Sequence, residues 1–173
     1  MNESKTETSL KARPGKYLTF ILGTETYGAE IQKIREIIGV VKMTPVPNTP
    51  PFIKGVINLR GKIIPVVDLR LKFQMDEHSG TRDSCIIIVA IKAGQGQTWM
   101  GLLVDSVCEV LDVMGSDLEA VPSFGIALDT SFLLAMARSK SGVRLLLDIE
   151  HVLTHEEAAS AAAAASGANL QAE

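Results

Sequence analysis

Aromatic side chains are scarce in this chain of 173 residues: 5% in all, with one tryptophan and two tyrosines. A groove that stacks single-stranded nucleic acid needs several exposed rings, and there is little here to build one. A surplus of positive charge is missing too. Seventeen Lys and Arg stand against 20 Asp and Glu, for a net charge of −3. Phosphate contact needs a basic face, so a dedicated nucleic-acid binder is excluded and no nucleic-acid partner is expected. Long apolar runs are absent. The longest, Cys85 to Ile91, has seven residues, whereas a bilayer crossing takes about 20, so direct membrane insertion is not expected. Met1 to Lys16 is polar and lacks the apolar centre of an export signal. Cysteine is rare as well. Cys85 and Cys108 each lie among apolar residues, and there is no CxxC. A structural zinc site wants about four ligands, so both read as buried free thiols of a reducing cytoplasm.

Reactive constellations are also lacking. The histidines are His78, His151 and His155. His151 and His155 stand four apart, on one face of a helix, but without an HExxH order or a nearby third ligand they read as solvated residues rather than a metal site. Gly94-Gln95-Gly96 is too short for a phosphate loop and reads as a hairpin turn. No GxSxG occurs. Asp105 and Asp148 sit among strand residues, where capping or hairpin solvation accounts for them. Nothing assembles a nucleophile, a base and an orienting group. The chain reads as a non-enzyme with no cofactor and no metal.

What is present is strand. Tyr17 to Leu22 is rich in β formers, and Tyr27, Ala29 and Ile31 alternate after a short turn. Ile31, Ile34 and Ile38 shift towards helical spacing, so a short helical turn interrupts the pattern. Pro45, Pro47, Pro50 and Pro51 punctuate a loop that no central strand can cross. Val56 to Gly61 and Lys62 to Val67 form a hairpin, and Asp68 caps a short helix over Leu69 to Phe73. Gln74 to Ser84 is a polar connector. Cys85 to Ile91, Trp99 to Leu111, Ser131 to Ala137 and Val143 to Asp148 supply further strands, with an irregular stretch from Val113 to Asp129. Residues 1–15 read as a disordered arm. Ala158 to Glu173 reads as a flexible alanine-rich tail that frays as helix or stays disordered, with nothing to form a packed core.

The chain repeats itself. Tyr27 to Ile38 aligns without gaps on Met100 to Leu111, which puts Gly28 on Gly101 and Glu36 on Glu109, 73 positions on. Further along, Phe52 matches Phe132 and Val67-Asp68-Leu69 matches Leu147-Asp148-Ile149, 80 positions on. The drift is an insertion in the irregular stretch. Two small antiparallel barrels of about 70 residues each follow, roughly 16–80 and 81–157. A barrel of that size closes its edges but buries a marginal core, so the two are expected to dock into one cooperative unit.

Arg60 stands at the tip of Asn58-Leu59-Arg60-Gly61, where its fork either grips a carboxylate, Glu36 being the best candidate, or is a plain surface charge. The stretch Thr49-Pro50-Pro51-Phe52-Ile53-Lys54-Gly55-Val56-Ile57-Asn58-Leu59-Arg60-Gly61-Lys62-Ile63-Ile64-Pro65-Val66-Val67-Asp68-Leu69-Arg70 closely resembles the CheW family of bacterial chemotaxis coupling proteins. Phe20-Ile21-Leu22-Gly23, Tyr27-Gly28 and Ile34-Arg35-Glu36-Ile37 carry the same resemblance, which runs from about Lys16 to Glu157. The resemblance implies an all-β fold with short helices, in two SH3-like five-stranded barrels, which agrees with the duplication. It implies a cytoplasmic adaptor, recruited to membrane-associated chemoreceptor arrays, that joins the cytoplasmic tip of chemoreceptors to the regulatory domain of a CheA-like histidine kinase. It assigns Ile34, Glu36 and Arg60 to the receptor, and Gly55 with Cys85, Ile86 and Ile87 to the kinase. The alanine-rich tail departs from the family pattern. The competing readings are a ligand-sensing barrel, disfavoured because barrels this small fill their interior with side chains, so that a small-molecule partner is not expected, and a module of a non-flagellar chemosensory pathway.

Overall fold

The computed structural model describes residues 13–75, 82–93, 96–121 and 132–171. Residues 1–12 of the expected arm 1–15, His78 and most of the irregular stretch before residue 132 lie outside the described residues, and Gly15 already belongs to the first strand. Eleven strands run in chain order: β1 Gly15–Leu22, β2 Glu25–Glu30, β3 Ile34–Gly39, β4 Ile53–Leu59, β5 Lys62–Asp68, β6 Cys85–Ala93, β7 Gly96–Val104, β8 Ser106–Val113, β9 Leu118–Glu119, β10 Leu133–Ser139 and β11 Gly142–Leu147. The helices are α1, Leu69–Lys72, and α2, His155–Gln171, with 3-10 turns after β2, β8 and β11. No helix among the described residues is long and apolar enough to cross a membrane.

The strands form two sheets, in the orders β8-β1-β2-β11-β10-β9 and β3-β6-β7-β5-β4. Neither sheet comes from one side of residue 80. Each takes the first hairpin of one repeat and the remaining strands of the other, so the expected split into successive barrels 16–80 and 81–157 gives way to an exchange. The exchange is symmetric. β2 meets β11 in parallel with Gly28 beside Leu146, and β7 meets β5 in parallel with Gly101 beside Val66. A Cβ at either glycine would crowd this approach: it would sit 2.8 Å from Leu146 Cδ2 at Gly28, and 3.3 Å from Val66 Cγ2 and 2.7 Å from Ile86 Cγ2 of β6 at Gly101. The repeat also holds at the atomic level, since Asp68 N donates to Phe52 O and Asp148 N to Phe132 O, each at 2.7 Å. Even the sixth strand has its counterpart. Met136 pairs with Glu119 of β9, and the equivalent Val56 makes an isolated bridge to Thr44.

Three apolar clusters result. One fills the six-stranded sheet around Tyr17, Val113, Ala135 and Leu146. Another fills the five-stranded sheet around Ile57, Ile64, Val66, Ile86 and Ile88. The largest lies between the sheets and takes Leu18, Phe20, Leu22, Ile53, Val67, Ile87, Val89, Ile91 and Leu147 from both. β6 explains the unbroken apolar run. It pairs on both sides, and its alternate residues serve two cores, so both faces must be apolar. Four of the few rings also meet in this shared layer: Phe20, Tyr27, Phe73 and Phe132 stack in series at 6.1, 5.8 and 4.8 Å. Burial between the sheets is thus the main hydrophobic reward of the fold.

The alanine-rich segment does more than fray. Thr154 and Glu157 form a reciprocal cap, with Glu157 N donating to Thr154 Oγ1 at 3.2 Å and Thr154 N to Glu157 Oε1 at 2.8 Å. Lys72 Nζ then pairs with Glu157 at 2.9 Å. Ala161 and Ala164 are buried, and Ala161 with Ala158 joins the shared cluster. Alanine loses almost no side-chain entropy on burial, so a stripe of it docks where its small size lets the helix approach. The expectation of a wholly flexible tail over 158–173 is corrected for the turns that carry these residues.

Candidate functional site

β3 is bulged. Ile34 lies opposite Val89 and Glu36 opposite Ile88, so Arg35 is the extra residue. A bulge shifts every side chain beyond it to the other face. Ile34 therefore packs on the shared cluster while Ile38, four residues on, packs inside the five-stranded sheet. Between them Glu36 emerges at the rim, and Ile37 is exposed, as are Val40 and Val41 just beyond the strand.

Across the seam stands the turn joining β4 to β5. Leu59 pairs with Lys62, leaving Arg60 and Gly61 as a two-residue turn. Both central residues are left-handed, at φ 51° and 87°. Glycine takes that conformation freely, and arginine takes it at a cost of about 1 kcal/mol or more. Asn58 Oδ1 accepts from Gly61 N at 2.7 Å and stiffens the tip. Lys62 Nζ lies 4.1 Å over the Trp99 ring. The Arg60 guanidinium forks onto Glu36, with Nη1 donating to Oε2 at 3.3 Å and Nη2 to Oε1. β3 and β4 are the two edge strands of the five-stranded sheet, so this pair spans its open seam. The hydrogen bond from Arg60 holds the Glu36 carboxyl below its ordinary range, against the opposing pull of desolvation. Arg60 remains largely in solvent, with 67% of its side chain exposed, and is within reach of a partner.

The structure therefore brings Glu36 and Arg60 together and sets Ile34 on the same strand, turned towards the inter-sheet layer. The other expected residues fare differently. Gly55 is buried at a bulge in β4, packed on the backbone of Thr44. Cys85 is half-buried at the start of β6, and burial pushes its thiol pKa up. Ile86 and Ile87 are wholly enclosed, one in each core. Both faces of β6 are covered there, so their side chains lie beneath the surface of this region. Cys108, expected to be buried, is exposed on β8, because it lies where β8 bulges against β1 and Thr19 fills the gap by bonding both to Glu109 O, at 2.8 Å, and to Glu109 N, at 3.2 Å. No group of three or more His, Cys, Asp or Glu that could hold a metal gathers among the described residues. Sequence reasoning missed the exposed apolar set Ile37, Val40 and Val41. Its only signal was the broken alternation around Arg35.

Residues 16–157 match the family model of the CheW-like domain. The chain is 38% identical over 144 residues to the chemotaxis protein CheW of Klebsiella aerogenes, covering 83% of this chain and 84% of that one. It is 31% identical to the chemotaxis protein CheW of Bacillus subtilis, covering 84% and 91%. Among solved structures it resembles the scaffolding protein TtCheW from Thermoanaerobacter tengcongensis, with a TM-score of 0.74 at 35% identity, covering 84% of this chain and 96% of that one.

Proposed function

The chain belongs to the CheW family of chemotaxis coupling proteins, and from that premise we propose that it works without catalysis, docking chemoreceptor tips at the Glu36–Arg60 seam and the regulatory domain of a CheA-like kinase elsewhere on the five-stranded sheet. One observation supports the receptor assignment above the rest. An arginine is held in a left-handed turn and kept mostly in water, with its fork already ordered by Glu36. The two-residue turn imposes that backbone on any residue placed there, and an arginine stands where asparagine or glycine would be less strained. Ordering the fork in advance lowers the entropy lost when a receptor carboxylate competes for it. Ile34, with the exposed Ile37 nearby, offers apolar contact to one side of an amphipathic receptor helix. For the kinase, Gly55 and Cys85 mark the region of contact, and Ile86 and Ile87 serve it only as the core beneath. Receptor binding would hold the protein at the cytoplasmic face of the membrane.

Arg60→Glu tests the assignment. The substituted side chain repels Glu36 and any receptor carboxylate, and the site is exposed, so the fold should survive. Affinity for a purified chemoreceptor cytoplasmic fragment should fall about tenfold or more, while binding to the kinase regulatory domain is retained. Unchanged receptor affinity in a titration of the folded variant removes Arg60 from the interface.

A further inference from the structure

The chain passes between the sheets twice in its strand exchange, once through the 3-10 turn Ile31–Lys33 and once at Asp105, between β7 and β8. An ionic clamp sits at each crossing. At Asp105, Oδ2 accepts from Arg70 Nη1 of α1 at 2.6 Å and from Gly23 N of the β1–β2 turn at 2.8 Å. At the other crossing, Glu150 accepts from Lys33 Nζ at 2.9 Å through Oε1 and from Lys92 N of β6 at 2.9 Å through Oε2.

The registers make these clamps counterparts. Phe20 faces Val107 as Val89 faces Ile34, so Gly23 and Lys92 hold the same place, three residues on, in their hairpins. Arg70 and Glu150 each follow by two the capping aspartates Asp68 and Asp148, to which their own N–H groups donate at 2.9 and 3.1 Å. Asp105 corresponds to Gln32, next to Lys33. Both clamps thus join a crossing, a post-strand turn and a hairpin N–H, but with opposite polarity. In one the crossing supplies the anion and the helix the cation. In the other the crossing supplies the cation and the turn the anion. Their side chains are 14–29% exposed, against 63% and 69% for the open Lys16–Asp112 pair, so salt screens them less.

We propose that these two clamps fix the angle between the sheets and, through Lys33, position the seat beside Ile34; the second part rests on reading Ile34 as receptor-lining. The shared core is held by non-directional apolar contact, and packed layers of that kind can slide by small shear motions. Ion pairs anchored to a backbone N–H at both crossings supply the missing direction.

Polarity gives the test. Glu150→Arg destroys the second clamp and faces Lys33 with a like charge. Adding Gln32→Asp copies the first clamp, Asp105 with Arg70, into the second. Spin labels on Cys108 of β8 and on Gly39→Cys, at the end of β3 where a Cβ meets nothing within 4 Å, report the sheet-to-sheet distance in the full chain with Cys85→Ala. The parent and a Lys16→Ala control should give one narrow distance. Glu150→Arg should broaden it and weaken binding to a purified chemoreceptor cytoplasmic fragment about tenfold, and Gln32→Asp should restore both. Should Glu150→Arg fail to fold, Glu150→Gln, which keeps an acceptor for Lys92 N, should still broaden the distance. A narrow, unmoved distance in a destabilised Glu150 variant, or no recovery with Gln32→Asp, overturns the clamps as angle-setting devices. Distances that move and recover while receptor affinity stays constant support the clamps and refute the Ile34 seat.

Discussion

Gly55→Ala should cost far more than one methyl group. Gly55 has φ +147°, and a Cβ there lies 2.4 Å from Thr44 O and 2.8 Å from Thr44 C. Those are backbone atoms and cannot swing aside. Thr44 is tied to β4 by two bonds, Thr44 N to Val56 O and Val56 N to Thr44 O, both 2.9 Å. Displacing it forfeits both, at about 0.5–1.5 kcal/mol each, and the backbone strain adds about 1–2 kcal/mol. The sum, roughly 2–5 kcal/mol, is a large part of the 5–15 kcal/mol typical of a domain. Gly61→Ala is the matched control: φ is +87°, and a Cβ meets nothing within 4 Å, so only the strain of about 1–2 kcal/mol applies. Urea unfolding followed by the fluorescence of Trp99, which packs on the cluster inside this sheet, measures both. Equal losses for the two variants refute the steric argument. The result bears on the proposed kinase contact around Gly55, because Gly55→Trp would displace Thr44 from β4 and weaken that binding by reshaping the surface.

Acid should destabilise the protein in a defined window. Burial raises the carboxyl pKa values of Glu150 and Glu157, but the Lys92 and Thr154 N–H groups with Lys33 and Lys72 outweigh it and leave both below the ordinary 4.5. A depressed folded-state pKa gives stability that is complete above the unfolded value and lost as pH falls through the folded one. The urea midpoint should therefore hold steady through neutrality and fall once pH drops below 4.5; Glu150→Gln should flatten that fall, and an unchanged slope would deny the carboxylate its part. Ala161→Glu should destabilise by about 2 kcal/mol or more, since it drives a carboxylate into the shared core, whereas Ala162→Glu on the exposed face should stay within about 0.5 kcal/mol in calorimetry. A fragment of residues 13–82 holds β1–β5 and lacks β6 and β7, the centre of the five-stranded sheet. It should show no cooperative unfolding alone and gain it when mixed with residues 82–171; independent folding of either piece would contradict the exchange.

Much of this architecture was written in residue pattern, though not its connectivity. The matches of Gly28 with Gly101, Phe52 with Phe132 and Asp68 with Asp148 reappear as equivalent hydrogen bonds and equivalent strand pairings. Alternation tells which residues share a face. It does not tell which repeat supplies the neighbouring hairpin, because the two acceptor sheets present nearly the same edge. That ambiguity hid the exchange. The same limit hid the burial of Ile86 and Ile87, since an apolar strand end on the surface and one between two cores look alike in sequence. Cys108 went wrong through the bulge that turns it outward. The capping pattern Thr154-x-x-Glu157 was passed over, and alanine composition obscured the docked face. At the seam, the residue types of Glu36 and Arg60 were readable. The bulge and left-handed turn that join them were not.

The exchange also bears on how a scaffold of the CheW family can couple one binding face to another. Were each repeat to fold on itself, a partner on one barrel would meet the other only across a layer of side chains. Here the five-stranded sheet that bears Glu36 and Arg60 has its central hairpin, β6–β7, in the second repeat, and β7 runs on through the single residue Asp105 into β8, the edge of the other sheet. β2 runs likewise through Ile31–Lys33 into β3, which carries Ile34 and Glu36. A displacement of either sheet is therefore carried by continuous backbone as well as by packing. Coupling between two binding faces requires that each ligand favour one arrangement of a common element. The crossings are the only such elements that touch both sheets through covalent bonds among the described residues, so a partner bound on the five-stranded sheet would act on the six-stranded one through their clamped geometry.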